Sequence, residues 1–201
     1  KNLELDVTFA KDGETLSLDQ LHLRHARTAA LVGNGKLGLN PPRFFNFEGS
    51  LQHFDVSAFL QAPRTSLNAT LKVAGELESP SGRGPEAKVE FRMGNSRIAD
   101  HAVTGEGRIE FWGRDLATAR GSAEVELRLG QNQLLARGGI GQKGDQLRLS
   151  LDAPKLAQIG FGLRGSLEAD AVVETGAADI GQSGQKPPNI RFSAEGKSLS
   201  F

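Results

Sequence analysis

Alternation of apolar and polar residues with a period of two runs through almost the whole chain, and it permits few folds. Leu3, Leu5, Val7 and Phe9 alternate with Asn2, Glu4, Asp6 and Thr8. The pattern returns at Leu16, Leu18, Leu21 and Leu23, at Phe45 and Phe47, and at Leu67, Ala69, Leu71 and Val73. It recurs at Val89, Phe91 and Met93, at Ile109 and Phe111, and at Val125, Leu127 and Leu129. Leu147, Leu149 and Leu151, then Leu167, Ala169, Ala171 and Val173, then Ile190, Phe192 and Ala194 complete it. Such alternation places one residue set on each face of a strand. The second set is Glu, Arg, Lys, Asn, Ser and Thr, which suits water. The chain is therefore expected to be all-β, with about a dozen strands.

Turn chemistry punctuates the alternation. "KDGE" (11–14) is expected to form a hairpin turn centred on Asp-Gly, and "GQNQ" (130–133) and "QKGD" (142–145) to form further turns. The step from Leu18 to Leu21 breaks parity and predicts a bulge near Asp19–Gln20. "HFDVSAFLQAP" (53–63) predicts a short helix with Asp55 as N-cap, carrying Phe54, Phe59 and Leu60, and stopping before Pro63. "DAPKLAQIGFG" (152–162) predicts another, with Pro154 near its start, Leu156 and Ile159 on its apolar side and Gly160 at its end. Strand, short helix and strand thus recur at 45–77 and 147–173 as a weak internal repeat. "SPSGRGPE" (79–86) and "TGAADIGQSGQKPPN" (175–189) read as long connections within one continuous sheet.

Two glycine motifs raise and then dismiss a nucleotide site. G-x-G-x-x-G occurs at Gly139, Gly141 and Gly144 and again at Gly33, Gly35 and Gly38. A phosphate-binding loop of that form needs a helix directly after it, whose N-terminus holds the phosphate. The first copy runs into "QLRLSLD", a strand pattern, and the second into Leu39-Asn40-Pro41-Pro42. Gly33 and Gly35 instead share the parity of Leu31, Leu37 and Leu39, and Gly105 and Gly107 that of Val103, Ile109 and Phe111, where a missing side chain permits bending or close approach.

No catalytic constellation emerges, and the chain is expected not to be an enzyme. The histidines are His22, His25, His53 and His101; His22 and His25 lie on opposite faces of one strand, so no metal site is expected. His53, Asp55 and Ser57 spell a triad by letters only, and Asp55 serves better as a cap. Among Glu4, Asp6, Glu124 and Glu126 no carboxylate pair stands out. Trp112, at a strand end, reads as half-buried. With 24 basic and 24 acidic side chains scattered singly, the chain has no footprint for nucleic acid. Without cysteine it has no disulfide. No cofactor is expected. It opens mid-pattern on Lys1, without signal peptide or bilayer-spanning run, as expected of a segment of a longer protein whose anchor lies elsewhere.

So many half-apolar strands need a solution for their apolar face. Two sheets could close into a sandwich, as in a carbohydrate-binding module, but such a module usually exposes aromatics and this chain has one Trp and no Tyr. The strands could close into a barrel. A curved open trough is the remaining solution, exposing an apolar patch that normally means binding. Its lining would be Leu16, Leu18, Leu37, Leu39, Phe45, Phe47, Leu71, Val73, Val89, Phe91, Ile109, Phe111, Val125, Leu127, Leu129, Leu147, Leu149, Leu151 and Leu167.

The stretch "LRLSLDAPKLAQIGFGLRGSLEADAVV" (147–173) resembles the repeating segments of the TamB/AsmA-like family, through L-x-L-x-L-D-A-P-x-L-A followed by G-L-x-G-x-L-x-A-D. "FEGSLQHFDVSAFL" (47–60) and "LNATLKVAGEL" (67–77) carry a similar cadence. The resemblance implies an elongated U-shaped β-sheet, a β-taco, with a hydrophobic groove, residues 1–201 forming one continuous segment of it. It implies a place in the periplasm of a Gram-negative bacterium, the parent protein being anchored in the inner membrane. It implies a role in moving phospholipid acyl chains between the inner and outer membranes, with a TamA-like outer-membrane barrel as partner. The alternative it carries is a scaffold for nascent outer-membrane β-barrel proteins. Neither role carries catalytic residues.

Overall fold

The computed structural model describes residues 3–25, 29–59, 61–78, 85–113, 120–142, 144–174 and 189–200. Twelve strands form a single open sheet in chain order, each antiparallel to its neighbours. They are β1 (Leu3–Asp12), β2 (Thr15–His25), β3 (Ala29–Gly38), β4 (Phe44–Phe54), β5 (Thr65–Glu76) and β6 (Glu86–Ile98). Then come β7 (His101–Trp112), β8 (Arg120–Leu129), β9 (Asn132–Ile140), β10 (Gln146–Ala153), β11 (Arg164–Glu174) and β12 (Asn189–Ser200). Two 3-10 turns interrupt the meander, η1 (Val56–Ala58) between β4 and β5 and η2 (Leu156–Ile159) between β10 and β11. The expected all-β architecture with one or two short helices is what forms, and the sheet closes into neither a barrel nor a sandwich.

Register converts sequence parity into continuous apolar rows. Leu5 stands opposite Leu23, which stands opposite Leu31, and the row continues through Leu51, Ala69, Met93, Gly105, Leu127, Leu134, Leu151 and Ala169 to Ala194. A second row runs from Val7 to Phe192 and a third from Phe9 to Ile190, each across all twelve strands. Side chains on one face recur every second residue, so neighbouring rows lie about 7 Å apart. Eleven inter-strand steps of about 4.8 Å make each row about 53 Å long. A one-residue slip in any pairing would send that strand's apolar set to the opposite face, and this is what fixes the register.

The predicted bulge is present. Register shifts between Leu18 and Leu21, so Asp19–Gln20 carry the extra residue and return the later leucines to the apolar face. Further bulges fall at Gln52–His53 of β4, at Gly94–Asn95 of β6, and near Ser198 of β12. His53 and Ser198 have left-handed backbone, at φ 47 and φ 53. Bulges bend and twist the strand that carries them, and these three lie toward the same margin of the sheet, where the even-numbered strands end. At the turn expected over 142–145, Asp145 N–H donates to the Gln142 carbonyl at 3.1 Å. The turn expected at 130–133 lies one residue earlier, centred on Gly130–Gln131, because Leu129 pairs with Asn132 and the left-handed φ of 59 falls at Gly130. The first hairpin differs by one residue. Asp12 pairs with Thr15, so Gly13–Glu14 occupy its centre, because the left-handed φ of 55 falls at Gly13 and leads the turn.

Glycines on the apolar face make room for phenylalanine rings. A β-carbon at Gly107 would lie 2.5 Å from Phe91 Cε1 and 2.9 Å from Val125 Cγ2. One at Gly33 of β3 would lie 2.7 Å from Phe47 Cε2 of β4. Glycine and aromatic residue in neighbouring strands therefore fill one site between them. We expect Gly107→Ala to cost about 1–3 kcal/mol in urea unfolding through overpacking. Gly94→Ala should change stability by less than about 1 kcal/mol, since its nearest neighbour would be 3.6 Å away.

Candidate functional site: an uncovered apolar face

The apolar rows remain largely open. Among the described residues no large side chain is fully buried. Eighteen of the nineteen predicted lining residues fall in the rows or at their ends. Leu16, Leu37, Phe45 and Phe111 belong to a fourth, shorter row; Leu18, Phe47, Val73, Val89, Ile109 and Leu147 to the third. Leu71, Phe91, Val125 and Leu149 lie in the second and Leu127 and Leu151 in the first, with Leu129 and Leu167 just beyond it. None of these is buried. Leu39 is the exception. It lies past the end of β3, exposed, with its N–H donating to the Glu14 carbonyl at 2.7 Å. Sequence parity extended it one step too far, into the bend that precedes Pro41–Pro42.

Exposure is greatest where the rows end. On β1, Leu5 and Phe9 are 58% and 61% exposed, and on β12 Ile190 and Phe192 are 62% and 70% exposed. These side chains lack a neighbouring strand on one side.

One margin of the face, by contrast, is packed. Thr65, Ser96, Val103, Asn132, Ala153 and Leu156 are all buried, and all lie where even strands end and odd strands begin. The two 3-10 turns produce this. Phe59 stacks on Phe54 with ring centroids 5.4 Å apart, folding η1 onto the apolar side. Asn132 binds η2's entry residue twice: its side-chain amide donates to the Lys155 carbonyl at 3.0 Å and its oxygen accepts from Lys155 N–H at 3.0 Å. Gln158 accepts from Gln131 N–H at 2.8 Å. The two crossings also converge. A β-carbon at Gly160 would overlap the Pro63 ring, although Gly160 follows β10 and Pro63 follows β4. Gly160 caps η2 with φ 89, as its expected role as terminator requires, whereas Pro154 stands before the helical turn and not within it.

Asp55 holds η1 as an N-cap. Its Oδ1 accepts from Ser57 N–H at 3.1 Å, Ser57 Oγ–H at 2.8 Å and Thr65 N–H at 3.0 Å. Desolvation raises its pKa, but the hydrogen bonds from Thr65 and Ser57 and the charge of Arg64 outweigh it and hold the carboxyl below its ordinary value. The letters of a triad do not assemble, because His53 Nδ1 lies 3.2 Å from Ser66 Oγ and Asp55 binds Ser57 directly. Trp112 is half-buried at the end of β7. His22 and His25 have opposite parity on β2. Among the described residues no group of three or more His, Asp or Glu is placed to hold a metal. Leu60 and most of the stretches 79–86 and 175–189 lie outside the described residues.

The opposite face is a lattice of charge. Glu48, Lys72, Glu90, Arg108, Glu124 and Arg137 stand in register across six strands with alternating sign. Lys72 binds Glu48 at 3.0 Å and Arg108 binds Glu90 at 3.0 Å. The hydrogen bond from Lys88 to Glu90, against a smaller desolvation effect and with the charges of Lys88 and Arg108 added, holds the Glu90 carboxyl below its ordinary value. Such exposed pairs, screened by water, contribute little to stability. A cleft of about 470 Å³ lies among these side chains, lined by Lys72, Arg92, Arg108 and Arg137 and by as many glutamates, so it favours neither sign of ligand.

Together these features define an open-faced antiparallel meander with one charged and one apolar side. No protein-family model, curated protein or solved structure matches the chain. Among the described residues no helix is long and apolar enough to cross a membrane.

Removing the Asp55 cap by Asp55→Ala should cost about 0.5–2 kcal/mol in chemical denaturation. Its native pKa is depressed, so its stabilisation is fully present above the unfolded value near 3.8 and fades as pH falls through the native value. The stability difference between wild type and Asp55→Ala should therefore shrink progressively as pH is lowered beneath 3.8, measured by tryptophan fluorescence in urea.

Proposed function

We propose that the apolar face is a conduit for the acyl chains of phospholipids, within a bridge that carries lipid between the two membranes of a Gram-negative envelope. The observation that carries this reading is the set of three apolar rows, each uninterrupted across twelve strands and uncapped along most of its length. A sixteen-carbon chain offers about 12 kcal/mol if wholly withdrawn from water, at about 0.8 kcal/mol per methylene. An open face covers roughly one side of the chain, so about half of that gain is available. The rows hold Leu, Val, Ile, Phe, Ala and Gly with a single Met and no charge, so a tail meets no fixed polar contact as it slides. Such a surface binds without activating a bond, and the role is binding and transport, not catalysis. The resemblance of 147–173 to TamB/AsmA-like repeats points the same way and supplies the periplasmic setting and a TamA-like partner.

A second reading is a scaffold that receives nascent outer-membrane strands. The two unpaired edges, β1 and β12, with their exposed apolar side chains, favour it, since an extended segment can add to a free edge.

Native mass spectrometry of the purified chain should show bound phospholipid under gentle ionisation. Leu127→Glu places a carboxylate in the first row and should weaken binding of a fluorescent phospholipid at least about tenfold, equivalent to about 1.4 kcal/mol. Arg148→Glu, on the charged face, should leave it unchanged. Equal loss in both variants, or no lipid in either assay, would contradict the conduit.

A further inference from the structure

The seam over the apolar face joins parts of the sheet that a flat arrangement would hold apart. Pro63 lies two residues before Thr65, the first residue of β5, and Gly160 lies four residues before Arg164, the first residue of β11. A β-carbon at Gly160 would overlap the Pro63 ring, so the two crossings touch. Leu163 N–H donates to the Gly160 carbonyl at 3.3 Å, which turns the chain back before it enters β11. Through these links Thr65 and Arg164 are held within about 24 Å of each other. Six inter-strand steps on a flat sheet would separate them by about 29 Å. The sheet is therefore bowed between β5 and β11 along this margin, its ends drawn together on the apolar side, onto which η1 folds.

We propose that this meeting of the two crossings is a clasp that sets the width of the trough. Each half is anchored independently of the other. Asp55 ties η1 to Thr65 of β5, and Val56 N–H donates to Thr65 Oγ1 at 2.7 Å. Asn132 and Gln131 hold η2 to β9 and the turn before it, through Lys155 and Gln158. The contact between the halves is a proline ring against a glycine, which removes little apolar surface from water. It can part without disturbing either anchor. Bending points lie at the same margin, in the bulges at Gln52–His53 and Gly94–Asn95.

With the clasp closed the margin is narrow, and Val103 of β7, Ala153 of β10 and Leu156 of η2, all within the bowed arc, are buried. With it parted, β5 and β11 move away from each other and the trough widens from this margin. The device belongs to the sheet itself and holds whatever occupies the apolar face.

The chain has no cysteine of its own, so a pair of nitroxide labels can report the width. Ala69→Cys on β5 and Ala169→Cys on β11, both in the first row, carry them, and pulsed electron paramagnetic resonance reads their separation. The native clasp should give a short, narrowly distributed distance. Gly160→Ala, whose β-carbon meets the Pro63 ring, and Pro63→Gly, which removes that ring, should each broaden the distribution and lengthen it toward the about 29 Å of a flat sheet. The far-ultraviolet circular dichroism of Pro63→Gly should stay native, because both anchors remain. Gly162→Ala is the control. Its φ of 76 imposes similar backbone strain in the same crossing, but its β-carbon would meet nothing within 4 Å, so the distance should remain native. Unchanged distributions in Gly160→Ala and Pro63→Gly would overturn the clasp, as would equal lengthening in Gly162→Ala.

Discussion

Cross-strand register is the constraint on which the structure depends. Each strand carries an apolar and a polar set, and eleven successive pairings keep the apolar sets aligned. The cost of misalignment is large at every step, because a slip of one residue inverts a whole strand. The bulges serve this alignment. At Asp19–Gln20 the extra residue corrects a parity change, so Leu16 and Leu18 share a face with Leu21 and Leu23. Among the described residues the sheet therefore draws its stability mainly from neighbouring strands, with no second layer opposite most of it. The apolar rows are left available because the sheet can be held together without covering them.

The two faces divide the work. Charged side chains keep one face in water, and along the row from Glu48 to Arg137 their signs alternate from strand to strand, which favours that pairing. The apolar face carries the binding surface. At one margin η1 and η2 fold over it and meet where Pro63 packs against Gly160, joining crossings that are six strands apart in the meander. This margin is fixed by Asp55, Asn132 and Gln158, and among the described residues it contains most of the buried ones other than glycine. The remainder of the face is mostly half-buried. The fold therefore combines a packed seam with an open surface, an arrangement suited to holding a flexible apolar ligand.

Much of this was legible in the chain. Strand positions and the identity of the lining residues come from parity alone, since period-two alternation is a local property. The Asp55 cap and the Gly160 stop were readable because caps are also local. The packed margin was not. Ser96 is buried there although nothing in its immediate sequence marks it, and its hydroxyl pairs with the backbone of Asn68, 28 residues away. The Gly94–Asn95 bulge was hidden for another reason: only Ile98, whose parity is opposite to that of Met93, reports the shift, and four residues without an apolar side chain separate the two. The meeting of Pro63 with Gly160 is non-local and had no signal at all. Function lies one step further from sequence, because the open face identifies a chemistry of contact and leaves the choice of ligand to experiment.

The most direct test is site-specific photocrosslinking with a photoreactive residue at Leu127 or Leu149 on the apolar rows, and at Glu126 or Arg148 on the charged face, in the presence of radiolabelled phospholipid. The conduit predicts acyl-chain adducts at Leu127 and Leu149 and background labelling at Glu126 and Arg148. Adducts confined to Glu126 and Arg148, or equal labelling of both faces, would contradict it.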